Sequence, residues 1–215
     1  MENGKINDGA QEHHWTGRKG DQYTQRNDID ETNIANQVPQ WKRSFRKAEG
    51  ITSLIEFGTN CGPNLRSIVQ AFPALQVSGV EINKKAADLA KERLPEANIF
   101  NENIVTFNSD LRWDLVLIKG VLIHITKEEK YHAALANLDK YAKKFVLIVD
   151  HVSQDPTKVQ YYGRDDLWLV RNFPIDFIDR FPSWKIIDIG HWSRNDIGDG
   201  LRDDCRDVRW FLLGK

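Results

Sequence analysis

Apolar and polar positions form regular blocks along the chain, and these blocks predict strands that alternate with helices. Short apolar runs are typical of strands in a buried parallel sheet. They predict strands near residues 51–57, 76–80, 97–100, 115–118, 143–152, 184–192 and 208–215. Apolar residues at helical spacing predict helices near residues 65–72, 83–94, 127–141 and 173–182. The order of these elements indicates an α/β fold with a seven-stranded, mostly parallel sheet and helices on both faces.

The residues before the first strand have a different pattern. Residues 1–14 are polar and aperiodic, and we expect a flexible tail in which His13 and His14 bind no metal. Residues 15–49 mix aromatic residues, glycines and helical segments, among them a helix expected from about residue 22 into the thirties, which predicts a helical cap or lid. Residues 50–215 then form the core of a single domain that spans 15–215, because the chain shows no internal repeat or linker.

Composition narrows the choice of partners and compartment. The 215 residues are 40% hydrophobic, enough for one substantial core, and 30 basic against 31 acidic residues give a net charge of -1. We therefore expect no nucleic-acid partner. No apolar run approaches the roughly 20 residues of a membrane span, and no signal-peptide core is present. With two distant cysteines, these features predict a cytoplasmic protein with reduced thiols.

The segment LIEFGTNCGPN, residues 54–64, predicts a ligand site. Its apolar strand ends at Phe57, glycines and a proline follow, and a helical pattern resumes at Leu65. Glycine permits positive φ and a close approach of a ligand to the backbone, while a helix N-terminus presents free N–H groups. The segment therefore suits a ligand with an anionic or carbonyl-rich end.

The spacing of this segment argues against a dinucleotide. The fingerprint G-x-G-x-x-G, started at Gly58, requires glycine where the chain has Asn60 and Pro63. The chain still offers two acidic residues to a ligand, Glu56 and Glu81. Glu81 lies at the end of the next strand, where a carboxylate can accept hydrogen bonds from both hydroxyls of a ribose. This arrangement resembles the first two motifs of class I S-adenosylmethionine (SAM) dependent methyltransferases, with Asn60 replacing the usual middle glycine. The resemblance implies their Rossmann-like fold and SAM as the cofactor.

Two further segments offer cofactor contacts. In the cap, Arg26 and Asn27 carry donors that suit the cofactor's carboxylate; alternatively, this helix packs on the sheet with its charges in water. After the third strand, Asn103 takes the position that meets the adenine amino group in methyltransferases. The alternatives are its neighbour Glu102 or a simple asparagine turn.

The ends of the fourth and fifth strands carry candidates for catalysis and acceptor binding. Lys119 and Gly120 end the fourth strand at the sheet edge where ligands gather, and Lys119 is alternatively a partner of a substrate anion. His124 follows, and its ordinary pKa near 6.5 makes it a candidate base for a hydroxyl or ammonium. The alternative is a histidine held by the backbone at a helix entry. Asp150 and His151 end the fifth strand as candidates for the acceptor pocket.

Residues 154–172 combine aromatic and charged side chains in a way typical of binding walls. Tyr162, Arg164 and Arg171, beside Tyr161 and Trp168, are candidates to bind a polar substrate, including a negatively charged one. Alternatively they anchor the loop to the core. A polar loop between the last two strands contains aspartates, but their spacing does not match a calcium loop, so no metal is expected.

Five segments together resemble the methylases associated with pseudaminic acid biosynthesis, over residues from Trp15 to Leu213. They are WTGRKGDQYTQRN, SLIEFGTNCGPNL, DLVLIKGVLIHI, YYGRDDLWLVRNF and DVRWFLL. The cofactor contacts implied by this resemblance are Tyr23, Arg26, Asn27, Glu56, Gly58, Asn60, Gly62, Glu81, Asn103, Lys119, Gly120 and Val121. The implied acceptor is a small molecule, a nonulosonic sugar, free or nucleotide-activated. The competing hypotheses are a SAM-binding regulator or scaffold without catalysis, and a nicotinamide-dependent oxidoreductase.

Overall fold

The computed structural model describes residues 10–164, 166–192 and 208–215. The helices are α1 (Ala10–Thr16), α2 (Arg18–Arg26), α3 (Glu31–Asn36), α4 (Val38–Ser44), α5 (Pro63–Ala71), α6 (Lys84–Arg93), α7 (Glu128–Tyr141) and α8 (Phe173–Arg180). The strands are β1 (Ser53–Phe57), β2 (Gln76–Val80), β3 (Asn98–Phe100), β4 (Trp113–Lys119), β5 (Ala142–Asp150), β6 (Thr157–Lys158), β7 (Leu169–Val170), β8 (Lys185–Trp192) and β9 (Val208–Gly214). Within this part of the chain, no helix is long and apolar enough to cross a membrane.

Seven strands form the main sheet in the order β3-β2-β1-β4-β5-β9-β8. The strands from β1 to β5 run parallel, and β9 is antiparallel to both of its neighbours. The predicted seven-stranded, mostly parallel α/β sheet is confirmed. In the register, Phe57 pairs with Val80 and Ile118, and Lys119 pairs with Val149. The carboxyl ends of β1, β2, β4 and β5 therefore meet at one edge of the sheet.

Helices cover both faces of the sheet, and β4 is therefore buried on both sides. Val116 and Ile118 belong to one apolar cluster, which includes side chains of α7 and α8. Leu115 and Leu117 belong to the opposite cluster, with side chains of α4, α5 and α6. Alternate residues of a strand point to opposite faces, so this division follows directly from the strand period of two.

The N-terminal segment differs from the prediction in two ways. The sequence analysis places residues 10–14 in a flexible tail, whereas they lie in α1, which is held by an ion pair of 2.6 Å between Glu12 and Lys130. The rest of the predicted tail, residues 1–9, lies outside the described residues. The helix expected from residue 22 into the thirties is broken in two, because Asp30 caps a separate helix, α3, by accepting from the Asn33 backbone N–H at 2.8 Å.

Helix α4 belongs to the layer on the sheet. Trp41 is fully buried, and its ring centroid lies 4.7 Å from that of Trp192 on β8. The loop after β5 contains a short hairpin, β6 paired with β7, which the sequence pattern does not predict. The polar loop expected between the last two strands, residues 193–207, lies outside the described residues.

Candidate functional site

The turn after β1 is built around residues with positive φ. Gly58, Asn60 and Gly62 have φ angles of 82°, 51° and 81°. The backbone N–H groups of Gly58 and Thr59 both donate to the Val80 carbonyl, at 2.8 and 3.1 Å, which ties the turn to the end of β2. A Cβ atom at Gly58 would lie 2.4 Å from Cγ2 of Val121. The turn therefore requires glycine at position 58 for both conformation and space.

Gly58→Ala is expected to lower the free energy of unfolding by about 2 to 5 kcal/mol. A left-handed conformation costs an L-residue about 1 to 2 kcal/mol, and displacing Val121 adds an overpacking cost of about 1 to 3 kcal/mol. Urea unfolding measures the loss.

Gly120→Ala is the matched control for this experiment. Gly120 has a φ of 64°, but a Cβ there would meet nothing within 4 Å. Gly120→Ala should therefore lower the free energy of unfolding only by the conformational cost, about 1 to 2 kcal/mol. Equal losses in the two variants would contradict the proposed packing against Val121.

Glu56 supports the turn from inside the protein. It is fully buried; one carboxylate oxygen accepts from Nδ2 of Asn64 at 2.6 Å and the other from Oγ1 of Thr59 at 2.9 Å. Burial raises its pKa to about 7, opposed by these two hydrogen bonds and by the charge of Lys119. Neither Glu56 nor Gly62 lines the cavity described below, so the expectation of direct cofactor contacts from them is corrected to a supporting role.

The raised pKa of Glu56 predicts a stability that falls as the pH rises. The ordinary value is 4.5 and the folded value about 7, so between them the unfolded chain is ionised while folded Glu56 still holds its proton. Each pKa unit corresponds to about 1.4 kcal/mol, so this group should remove about 3 kcal/mol of stability between pH 4.5 and 7. Glu56→Gln should abolish that part of the slope.

Urea unfolding of both proteins at pH 5 and pH 8 measures the difference. Glu92→Gln, at an exposed position of α6, serves as the control and should keep the slope of the parent protein. Parallel pH curves for the parent and Glu56→Gln would show that Glu56 is ionised in the folded state.

Glu81 lies at the end of β2 and is 9% exposed. Its two carboxylate oxygens accept from the backbone N–H groups of Asn60 and Asn83, each at 2.8 Å. Burial raises the pKa of Glu81, and these backbone donors oppose the rise. An ionised carboxylate has about four acceptor positions, so both oxygens keep capacity for the hydroxyls of a diol.

A cavity of about 590 Å³ opens at the carboxyl edge of the sheet, between the turn and the N-terminal cap. Its size is ordinary for a small-molecule site. Most of the residues predicted from the sequence line it. They are Tyr23, Arg26, Asn27, Gly58, Asn60, Glu81, Asn103, Lys119, Gly120, Val121, His124, Asp150 and His151.

The cap is fastened over this cavity through α6. Asn83 caps α6 through its side-chain oxygen, and its Nδ2 donates to the Trp15 carbonyl and to Asp21, both at 3.0 Å. Tyr23 lies beneath the cap, where burial raises the pKa of its phenol to about 12. The amide of Asn27 donates to the Tyr23 carbonyl at 2.8 Å. Tyr23 and Asn27 are therefore held in place beside the turn.

His124 lies in a short 3₁₀ helix, residues 122–124, after β4. Its Nδ1 atom is 2.8 Å from the Leu167 carbonyl, which only accepts, so Nδ1 carries the proton and Nε2 carries the lone pair. Burial lowers the pKa of His124 to about 4. The imidazole is consequently neutral at physiological pH, with an acceptor nitrogen available.

Buried charges surround the ends of β4 and β5. Asp150 is 2% exposed, and burial raises its pKa to about 8 although it accepts from the His151 backbone N–H at 2.9 Å. Burial also lowers the pKa of Lys119, against the attraction of Glu56 and Asp150. The Lys119 ammonium donates to Oδ1 of Asn64 at 3.3 Å. Lys119, Asp150 and Glu56 thus form a compact group of buried titratable side chains with shifted pKa values beside the cavity.

Three residues predicted to bind the acceptor do not line the cavity. Arg171 is 5% exposed; it pairs with Glu128 at 2.7 Å, and its guanidinium lies 4.5 Å from the Tyr131 ring centroid, so it anchors α7. Arg164 pairs with Asp166 at 2.7 Å. Tyr162 is 39% exposed and accepts a hydrogen bond from Arg26. These contacts link loops to their neighbours, which corrects the substrate-binding prediction for all three.

Two features of the site were not predicted from the sequence: the role of Asn83 in holding the cap, and the position of Trp15 in the cavity lining. Asn83 follows Glu81 by two residues and opens α6, a position at which an N-cap is recognisable from sequence. Trp15 lines the cavity because the chain brings the first helices across the sheet edge, and no local pattern reveals that placement.

Comparison with known proteins agrees with this geometry. Residues 55–144 match the family model described as a methyltransferase domain. The matched part of the chain runs from β1 to the first residues of β5. No curated protein matches the sequence significantly.

Solved structures match the fold of this chain over most of its length. The magnesium protoporphyrin IX methyltransferase of Synechocystis PCC 6803, with bound SAM, has a TM-score of 0.65 and 14% identity, covering 95% of this chain and 94% of the other. The N-methyltransferase NodS of Bradyrhizobium japonicum WM9 has a TM-score of 0.62 and 11% identity, with coverages of 86% and 97%. The O-methyltransferase of a trans-AT PKS multienzyme of Brevibacillus brevis has a TM-score of 0.62 and 16% identity, covering 95% of this chain and 79% of the other. The fold is that of the class I methyltransferases.

The cavity has features that fit SAM. Oδ1 of Asn60 is buried without a hydrogen-bond partner among the described residues, directly in the turn. The Cα of Gly120 faces open space, so a ligand can approach the backbone there. The carboxylate oxygens of Glu81 can accept hydrogen bonds from hydroxyl groups of a ligand. These groups match the amino-acid end and the ribose of the cofactor.

Proposed function

We propose that this methyltransferase transfers the methyl group of SAM to an oxygen or nitrogen atom of a small polar acceptor. The observation that carries the proposal is the single cavity that Glu81 and the neutral imidazole of His124 both line. A carboxylate that can bind a ribose and a proton acceptor in the lining of one cavity suit a cofactor and an acceptor that lie side by side.

Each part of the cavity has a proposed role toward the cofactor. Glu81 accepts from the ribose hydroxyls, and Asn103 binds the adenine edge through Nδ2, because its Oδ1 already accepts from the Val105 N–H at 2.9 Å. The turn and the segment from Lys119 to Val121 surround the amino-acid end. From the cap, Arg26 donates to the cofactor's carboxylate, and Tyr23 and Asn27 close the cavity above it.

The cofactor, when bound, supplies a methyl group on a sulfonium that is already a good leaving group. The protein's task is then to hold the acceptor atom in line with that methyl group, and orientation of this kind supplies up to about 7 to 11 kcal/mol. His124 receives the acceptor's proton at Nε2, an effect that typically contributes about two to four decades in rate. Asp150 and His151 are proposed to orient the acceptor from the end of β5.

The acceptor implied by the sequence resemblance is a nonulosonic sugar, free or nucleotide-activated. An aromatic wall formed by Tyr161 and Trp168 supports a ring-shaped acceptor, since both residues line the cavity.

Cofactor binding is the first test of the proposal. Isothermal titration with SAM, S-adenosylhomocysteine (SAH) and NAD should give binding to the first two and none to NAD. Preferential NAD binding would favour the oxidoreductase hypothesis.

Methyl transfer is the second test. The protein is incubated with methyl-labelled SAM and a panel of sugars, phenols and amines, and labelled products are identified by mass spectrometry. A labelled product from one acceptor class supports the enzyme. Tight SAM binding with no product from the panel or from a cell lysate would favour the SAM-binding regulator.

A further inference from the structure

We propose that the acceptor enters an aromatic chamber around His124 that takes an uncharged ring and disfavours an anion. The chamber is defined by Trp15, His124, Tyr161 and Trp168, which all line the cavity. This inference rests on the proposed methyltransferase function and narrows its acceptor class.

Three aromatic rings surround the imidazole that is proposed to receive the proton. The ring centroids of Trp15, Tyr161 and Trp168 lie 4.6, 5.6 and 6.0 Å from that of His124. Tyr161 and Trp168 also contact each other, with centroids 5.1 Å apart. Two of these rings come from the loop that contains the β6–β7 hairpin and one from the cap. An acceptor beside Nε2 of His124 therefore meets aromatic faces contributed by two separate segments.

The cations near the chamber have partners elsewhere. Lys130 pairs with Glu12 at 2.6 Å. Lys119 donates to Oδ1 of Asn64 on α5 at 3.3 Å, and its ammonium is 5.4 Å from the ring centroid of Trp192 on β8. Arg164 and Arg171, the two arginines predicted to bind an anionic acceptor, pair with Asp166 and Glu128 outside the cavity. Arg26 also lines the cavity; it donates to the Tyr162 hydroxyl, and the proposed function assigns it to the cofactor.

These surroundings select against negative charge. The faces of aromatic rings carry partial negative charge, so they attract C–H groups and cations and repel anions. A carboxylate held in the chamber without a cation would exchange its hydration for neutral donors, the buried indole N–H groups of Trp15 and Trp168, which have no hydrogen-bond partner among the described residues and suit a neutral oxygen equally well. An uncharged ring, in contrast, packs on Trp15, Tyr161 and Trp168 and presents its hydroxyl to Nε2 of His124. The inference thus disfavours a free nonulosonic acid and favours an uncharged ring compound.

Two matched pairs of ligands test the charge preference on protein saturated with SAH. One pair is methyl 4-hydroxybenzoate and 4-hydroxybenzoate, and the other is N-acetylneuraminic acid methyl ester and the free acid. Isothermal titration should show the ester binding at least about tenfold more tightly than the acid in at least one pair, and the acid ahead in neither. An acid that binds as tightly as its ester in both pairs, or more tightly in either, would overturn the proposal. So would the failure of all four compounds to bind.

A pair of variants tests the location. Trp168→Leu should weaken binding of the preferred ester about tenfold and leave SAH affinity within about twofold, and Trp168→Phe should retain most of the ester affinity. Lys158→Leu, at an exposed position of β6 in the same loop and outside the cavity lining, should leave ester binding unchanged. Equal losses in Trp168→Leu and Lys158→Leu would overturn the chamber. Loss of SAH binding by the parent protein would instead contradict the proposed function itself.

Discussion

Glu81→Ala is expected to weaken SAM binding by about 100-fold or more. A hydrogen bond to a charged group contributes about 1.5 to 3 kcal/mol, and a ribose makes two such bonds to one carboxylate. The substitution also removes the acceptors for the backbone N–H groups of Asn60 and Asn83, so the turn keeps only the hydrogen bonds of Gly58 and Thr59 to the Val80 carbonyl as its connection to the end of β2. Isothermal titration with SAM measures the effect.

Glu81→Gln provides the control for this prediction. The glutamine keeps one acceptor oxygen and nearly the same volume, so it should lose less affinity than the alanine variant. Urea unfolding of each variant separates a damaged turn from a lost ribose contact. Unchanged SAM affinity in a folded Glu81→Ala protein would refute the ribose assignment.

His124→Asn is expected to lower the rate of methyl transfer by about 10² to 10⁴ while SAM affinity stays within about twofold. The asparagine Nδ2 can replace Nδ1 of the histidine in donating to the Leu167 carbonyl, whereas nothing replaces Nε2. The loss expected from removing a general base has this size. Single-turnover kinetics with the acceptor found by the screen measure the rate independently of product release.

The pH dependence of the same step gives a second measurement. His124 acts as a base only when unprotonated, and its pKa is about 4. The rate in the parent protein should therefore fall as the pH drops through about 4, with no inflection from His124 near 6.5. An inflection of the rate near pH 6.5 that disappears in His124→Asn would show that the His124 imidazole is solvated. An unchanged rate in the variant would show that His124 does not take part in catalysis.

The sequence predicts the strands, the turn and the cavity edge because these depend on local patterns. The apolar run from Ile51 to Phe57 and the glycines after it determine where β1 ends, and parallel pairing then gathers the strand ends at one edge. Four candidate residues lie at strand ends or shortly after them in the sequence: Lys119, His124, Asp150 and His151. For that reason all four line the cavity.

The partners of the charged residues are not local, and there the prediction fails. Arg171 resembles a free arginine beside aromatic residues, but Glu128 lies 43 residues earlier and comes within 2.7 Å only after α7 packs. Glu56 precedes the glycine turn as a cofactor ligand would, yet the fold directs its carboxylate toward Asn64 and Thr59. The position of Trp15 against His124 depends likewise on how the first helices cross the sheet.

The place of β9 in the sheet affects how the protein is made. Residues 208–214 insert between β5 and β8, both of which are synthesised earlier. Until residues 208–214 have been synthesised, β5 has an unpaired edge, and the apolar residues that later contact Leu212 and Leu213 remain uncovered. Completion of the sheet should therefore wait for β9, and a nascent chain stalled before residue 208 should be a substrate for chaperones.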